Sequence, residues 1–531
     1  MKKVDLILHN STIYTINNTK ATTEALAIKN GKIIAIGSNK AIVEQYHANT
    51  IHNLGKKYVY PGFYDAHCHF LRYALMQNEL QLFDSTSLND LVERTKAYHH
   101  KKPHLTAIIG KGWDDTKWTD DSKPHKAILD YYFPNIPVLL LRVDMHAALV
   151  NQKALDLAGI TLDSFIEGGK VLQENGEASG ILIDNAISVV SAILPQPSLA
   201  DLSAALVKAQ HHCFAVGLTT LNEALIEQEE IALIDELQKS NELKLRFYMM
   251  INSTPANRAH YFKHGLYKTD HLNARCFKYF SDGALGSRGA WLLAPYTDAP
   301  DNYGLPLLDK PVFTAECAEY LQHGFQVATH AIGDAANKFV LDAYSAVLPP
   351  NNPHRWRVEH AQILQTSDLA RFKQYNITPS IQATHATSDC PWIVKRLGEN
   401  RLKKGYRFKE LLDQNGYVAA GSDFPVEQIN PLLGFYAAVV RKNTDGYPSG
   451  GFQMDNALSR WEALQAMTIW AAYSNFEEHE RGSLAPNKFA DLVVLDQDIM
   501  TIADEEILNT KVLQTYIGGE LVYEKPKYTA S

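Results

Sequence analysis

The 531-residue sequence predicts an α/β protein: a TIM-like (β/α)8 barrel, a small β-sandwich formed from both chain termini, and an insertion after the first barrel strand. Three observations predict it. Short apolar runs of strand character recur through the middle of the chain, hairpin signals stand at both ends, and one interval in the series is far too long for a crossover. The runs are "FYDAHCHF" (63–70), "LTTLNEA" (218–224), "KLRFYMMI" (244–251), "CFKYFSD" (276–282), "FQVATHA" (325–331), "RWRVEHA" (355–361), "ITPSIQA" (377–383) and "YVAAGSD" (417–423). From the second onward they start roughly 20 to 50 residues apart, which suits successive βα units, and eight such units close a barrel.

The ends of the chain are β-rich. "ALAIKNGKIIAIG" (25–37) sets two β-branched runs around Asn30-Gly31, a short hairpin signal, and "VLQTYIGGELVYE" (512–524) does the same around Gly518-Gly519. "ADLVVLD" (490–496) adds a further strand. The expected division is therefore 1–60 and 485–531 as the two halves of the sandwich and 61–484 as the barrel, with the insertion at about 75–210. Between the first and second runs lie about 150 residues, several times what one crossover needs. That segment holds "GKGWDDTKW" (110–118) and "LLLRVDMHAALVNQKALDLAGI" (139–160), the latter reading as a strand, a turn and a helix ending at Gly159. It is expected to sit on the catalytic face.

Composition narrows the function. With 46% hydrophobic and 21% charged residues, a net charge of −8 and no Lys/Arg-rich run, the chain lacks the footprint of a nucleic-acid or anionic-lipid binder. Its five cysteines (Cys68, Cys213, Cys276, Cys317, Cys390) form no Cys-x-x-Cys and suit a reducing compartment. Asp5 and His9 interrupt the apolar run of "MKKVDLILHN", and no stretch approaches a membrane span. A cytoplasmic protein acting on a small molecule is expected, without nucleic-acid or membrane partners, and with homo-oligomer formation left open.

The ionisable residues of the eight runs form an ordered set. His67 and His69 close the first, Lys278 lies in the fourth, His330 in the fifth, His360 in the sixth, and Asp423 ends the eighth. Residues i and i+2 of a strand share a face, so His67 and His69 can both turn into the barrel mouth, where such enzymes carry their chemistry. Singly, each histidine reads as an ordinary core residue, Lys278 as a surface lysine and Asp423 as a helix N-cap. The order along the strands makes them a metal site, and imidazole with carboxylate suits zinc. Glu359, adjacent to His360, is expected to point the opposite way.

The series "HCHF", "FKYFSDGALGSRGA", "ATHAIGD", "RVEHAQI" and "AAGSDFPV", followed by "RGSLAPNKFADLVVLD", resembles the amidohydrolase superfamily, specifically amidohydrolase family 3 with its N-substituted formamide deformylase-like proteins. The insertion's "GWDDTKW" and "VDMHAALVN" belong to the same likeness, which runs over nearly the whole chain. The resemblance implies two divalent metals per chain. His67, His69 and Asp423 would hold the first, a carboxylated Lys278 would bridge both, and His330 and His360 would complete the second. It further implies hydrolysis of a C–N bond by metal-activated hydroxide, with Asp423 as general base and Lys278 among the catalytic residues. One departure is Asn487, where the family's usual "PGK" reads "PNK"; Asn tolerates positive φ better than most residues.

Other residues are open to two readings. Arg288 could meet a substrate carboxylate or carbonyl, or form a structural salt bridge. Trp113 and Trp118 could wall an apolar pocket or pack the insertion's own core. His146 and His385 are candidates for stabilising an oxyanion. Competing functions on the same platform are an ester or phosphoester hydrolase or a deaminase, and a non-catalytic regulatory protein that has kept the fold.

Overall fold

The computed structural model describes residues 1–17, 22–77, 79–120, 122–195 and 197–526. Each of the eight runs becomes a strand of one parallel sheet: Phe63–Cys68, Leu218–Ile226, Arg246–Asn252, Leu272–Phe280, Gln326–Ala331, Arg357–His360, Thr378–Ile381 and Ala419–Ala420, here strands one to eight. They neighbour one another in chain order, as in a (β/α)8 barrel. The sheet closes on itself just past strand eight, where Asp423 N donates to His67 O at 2.8 Å and His69 N donates to Phe424 O at 2.8 Å. That approach needs glycine at 421, because a Cβ there would lie 2.3 Å from His67 N.

The insertion carries more structure than its one legible strand–turn–helix. Six strands order as 169–174, 177–184, 147–150, 138–142, 108–113 and 80–81 in a sheet of their own. The helix Gln152–Leu157 does end beside Gly159, whose φ of +66° stops it. Strand Val138–Arg142 shows the period of two: Val138 and Leu140 enter one apolar cluster with Trp113 and Trp118, while Leu139 and Leu141 enter another with Ile187 of the helix Asn185–Ile193.

Trp113 is buried to 2% exposure and its Nε1 donates to Leu140 O at 2.7 Å, so this indole packs the insertion's own core and does not border the cleft. Trp113→Ala is accordingly expected to destabilise the protein by about 3–5 kcal/mol, as large-to-small core changes do. Relative kcat/KM values among substrates should stay unchanged. Thermal denaturation and a substrate series check both halves of this expectation.

Strands from the two chain ends join as expected, but in one hydrogen-bonded sheet of eight strands, not two separate ones. Tyr46–Pro61 lies parallel to Lys2–Tyr14 and antiparallel to Leu492–Leu495, stitching the N-terminal and C-terminal parts together. Leu6, Leu8, Leu26 and Ile28 share an apolar cluster with Leu492 and Val494, while Ile7, Ala25 and Ala27 face another with Ile42. Both hairpins form as read, with Asn30 and Gly31 at φ +51° and +75° and Gly518 and Gly519 at +56° and +76°. Asn487 adopts φ +73°, which accounts for Asn serving in a glycine's place. All five cysteines are free, and no described helix is long and apolar enough to cross a membrane.

Candidate metal centre

A cleft of about 1130 Å3 opens at the C-terminal end of the barrel strands. His67, His69, His330, His360, His385 and Asp423 line its floor, and His146 of the insertion overhangs it. Two groups of donor atoms converge there, His67–His69–Asp423 and His360–His385–Asp423, each with its ligand atoms within 4.8 Å of one another. Asp423 belongs to both.

Three of the imidazoles on the floor are held by the nitrogen that does not face the centre. His67 Nδ1 lies 2.5 Å from Glu359 Oε2, His69 Nδ1 is 2.8 Å from Ala224 O of strand two, and His360 Nδ1 is 2.7 Å from Gln382 Oε1 just past strand seven. Such contacts fix the tautomer and aim Nε2 inward. The Nε2 atoms of His67 and His69 stand 3.5 and 3.3 Å from Asp423 Oδ1, and His385 Nε2 stands 3.7 Å from Asp423 Oδ2. Asp423 Oδ1 and His385 Nε2 are buried and make no hydrogen bond. Orphaned donor atoms of this kind, with imidazole and carboxylate chemistry, fit a divalent metal.

Burial favours uncharged imidazoles here. It pushes the His67 pKa down to about 4, helped by Lys278 and opposed by Glu359 and Asp423, and it takes His330 and His360 well below the ordinary histidine value. Neutral rings are the ligating form. Burial alone would raise the Asp423 pKa, but the close approach of His69 and the field of His67 and His69 hold it below the usual carboxylate range. The backbone at the centre is unusual, with Asp423 at φ +64° and His360 at φ +72°, left-handed conformations that cluster at functional sites.

Lys278 lies beneath this floor at 1% exposure, its Nζ without a hydrogen-bond partner and 4.8 Å from the Phe280 ring centre. Desolvation lowers its pKa to about 8 against the pull of Glu359 and Asp423. The His330 ring packs 4.6 Å from His360, with Nε2 3.4 Å from Asp282 Oδ1. His385, a candidate oxyanion contact from the sequence, lines the cleft and also stands in a group of possible ligands, with its ring stacked 5.9 Å from His360. His146 does reach the cleft. Arg288 does not: it pairs with Asp298 at 2.9 Å outside the cleft wall, the salt-bridge reading.

Glu359 corrects an expectation. Strand parity turns it away from His360, yet its carboxylate lies inside the barrel between His67 Nδ1 and Arg357 Nε, the latter at 2.6 Å. The left-handed turn at His360 and Ala361 breaks the pleat, so both neighbours face the interior. Arg357 and His67 hold the Glu359 carboxyl well below its ordinary pKa although burial opposes them. No spacing signal announced this pair, nor Gln382. Glu359→Gln should loosen His67 and weaken metal binding about 10- to 100-fold, measurable by competition against a chelator.

YtcJ of Bacillus subtilis is 30% identical over 98% of this chain and 99% of its own length. The N-substituted formamide deformylase of Arthrobacter pascens is 25% identical over 98% of each chain. The crystal structure of a metal-dependent hydrolase from Pyrococcus horikoshii superposes with a TM-score of 0.77 at 27% identity, covering 94% of this chain and 99% of that one. The Amidohydrolase family matches residues 50–523, and the chain belongs to it.

Proposed function

We propose that this protein is a metal-dependent hydrolase that cleaves the C–N bond of an amide, N-formyl or N-acyl small molecule. The observation that carries the reading is Asp423, whose buried carboxylate stands between two imidazole groups with one oxygen unpartnered. In this reading His67, His69 and Asp423 hold one divalent metal, zinc by donor type. Lys278, carboxylated on Nζ, would hold the second with His330 and His360, and His385 beside Asp423 would be a further donor. Bound metal lowers the pKa of water towards about 7 and polarises a carbonyl.

The chain's own groups supply the proton chemistry. Asp423 accepts the proton of the attacking water and passes it to the leaving nitrogen. Lys278 Nζ, neutral in a larger fraction than an ordinary lysine, attacks the carbon of carbon dioxide and releases a proton, which leaves a carbamate at the end of a long stem. The formamide activity named for the Arthrobacter relative supports the choice of C–N over ester substrates.

Metal-replete protein assayed against N-formyl compounds, N-acyl amides, carboxylate esters, phosphoesters and amino-heterocycles tests the proposal. The highest kcat/KM is expected for an N-formyl or N-acyl compound. A preference for esters or for deamination would replace the reading with another chemistry on the same platform. Full metal content with no turnover of any class would favour a regulatory protein.

A further inference from the structure

The glycine-rich segment after strand four, "SDGALGSRGA" (281–290), contributes none of the proposed metal ligands, and the insertion residue Asp184 packs against it. This carboxylate ends the insertion strand Glu177–Asp184 with its side chain 2% exposed, and Oδ1 lies 2.6 Å from His146 Nδ1. Its other oxygen, Oδ2, is buried and makes no hydrogen bond. A Cβ on Gly283 would come within 2.7 Å of Oδ2, and one on Gly289 within 3.1 Å, so two glycines clear the space that the carboxylate occupies.

The backbone is arranged around the same pair. Asp184 adopts φ +49° and ψ −123°, which a residue with a side chain enters only when its surroundings compel it. Asp184 N donates to His146 O at 3.0 Å, and His146 N donates to Asp144 Oδ1 at 3.1 Å, so both residues are tied at backbone and side chain. The His146 ring borders the cleft 5.2 Å from the His330 ring. With Nδ1 committed to Asp184, Nε2 is the nitrogen left for a ligand.

We propose that Asp184 is a positioning residue that orients His146 so that its Nε2 hydrogen-bonds the carbonyl oxygen of the substrate as that oxygen gains charge. The inference rests on the hydrolase reading above and makes the insertion a contributor to the chemistry as well as a cover. The carboxylate balances the charge of a ring that carries a proton on both nitrogens, and Gly283 and Gly289 leave the space that admits it.

The test has two arms. Proton NMR of protein labelled with 15N-histidine should show a downfield Nδ1–H resonance that disappears in both His146→Gln and Asp184→Asn. This arm needs no substrate, so it judges the dyad even if no compound of the panel is hydrolysed; absence of the signal overturns the proposal. In the kinetic arm, with the N-formyl or N-acyl compound of highest kcat/KM, Asp184→Asn should lower kcat at least about 10-fold with KM within about 3-fold and bound metal unchanged, because a neutral amide cannot balance a ring that carries a proton on both nitrogens and donates through Nε2. Adding Asp184→Asn to His146→Gln should cost nothing more. Gly283→Ala, which keeps both residues of the dyad but crowds Oδ2, should move kcat in the same direction. Parental kcat in Asp184→Asn, or losses that multiply in the double variant, would overturn the role.

Discussion

Asp423→Asn is expected to leave the fold intact and to lower turnover of a confirmed substrate by at least about 10²-fold, since a general base contributes about 10² to 10⁴. The substitution is narrow. Asn keeps the shape and one oxygen for the centre, and it tolerates the φ of +64° at this position. It cannot accept the proton of the attacking water. Asp423 is held below the usual carboxylate range, so it stays ionised across neutral pH and the loss should appear at every pH between about 5 and 8. Steady-state kinetics with metal content measured on the same samples checks this. A variant with the parental rate would remove Asp423 from the role of base.

Lys278→Ala should be at least as damaging, abolishing nearly all activity and releasing much of the second metal. A lysine ammonium beside divalent cations is repelled by them, and its burial at 1% exposure leaves no water to screen that repulsion. A carbamate reverses the sign and offers two oxygens. Small carboxylates such as acetate or propionate should therefore restore part of both metal and activity to Lys278→Ala. Lys278→Arg should stay inactive, because its guanidinium remains charged and cannot be carboxylated. Elemental analysis with and without the added carboxylate follows the outcome. Retention of both metals by Lys278→Ala would contradict a bridging role.

The barrel was legible because its strands are short apolar runs at crossover spacing, five of them carrying a marked ionisable residue, and all eight formed where those runs lie. The insertion's six-stranded sheet was not. Its strands are short, the hairpin 169–184 joins it through its second strand, and segments such as Gly169–Glu174 are too polar to stand out. The single terminal sheet escaped the sequence for a related reason: its decisive pairing, Tyr46–Pro61 with Leu492–Leu495, joins residues more than 400 positions apart. At the site, parity placed His67 and His69 but misplaced Glu359, since one left-handed residue cancels the alternation. His146 could be suspected from its motif. Its partner Asp184 could not, because only the fold brings the end of one strand against the Gly283 loop.

The most direct measurement is a crystal structure of metal-replete protein with anomalous diffraction recorded across the zinc edge. It should show two zinc peaks, one at about 2.0–2.2 Å from His67 Nε2, His69 Nε2 and an Asp423 oxygen, with density continuing beyond Lys278 Nζ towards both. Absence of any peak at Asp423, or a free ammonium at Lys278 with both metals in place, would contradict it.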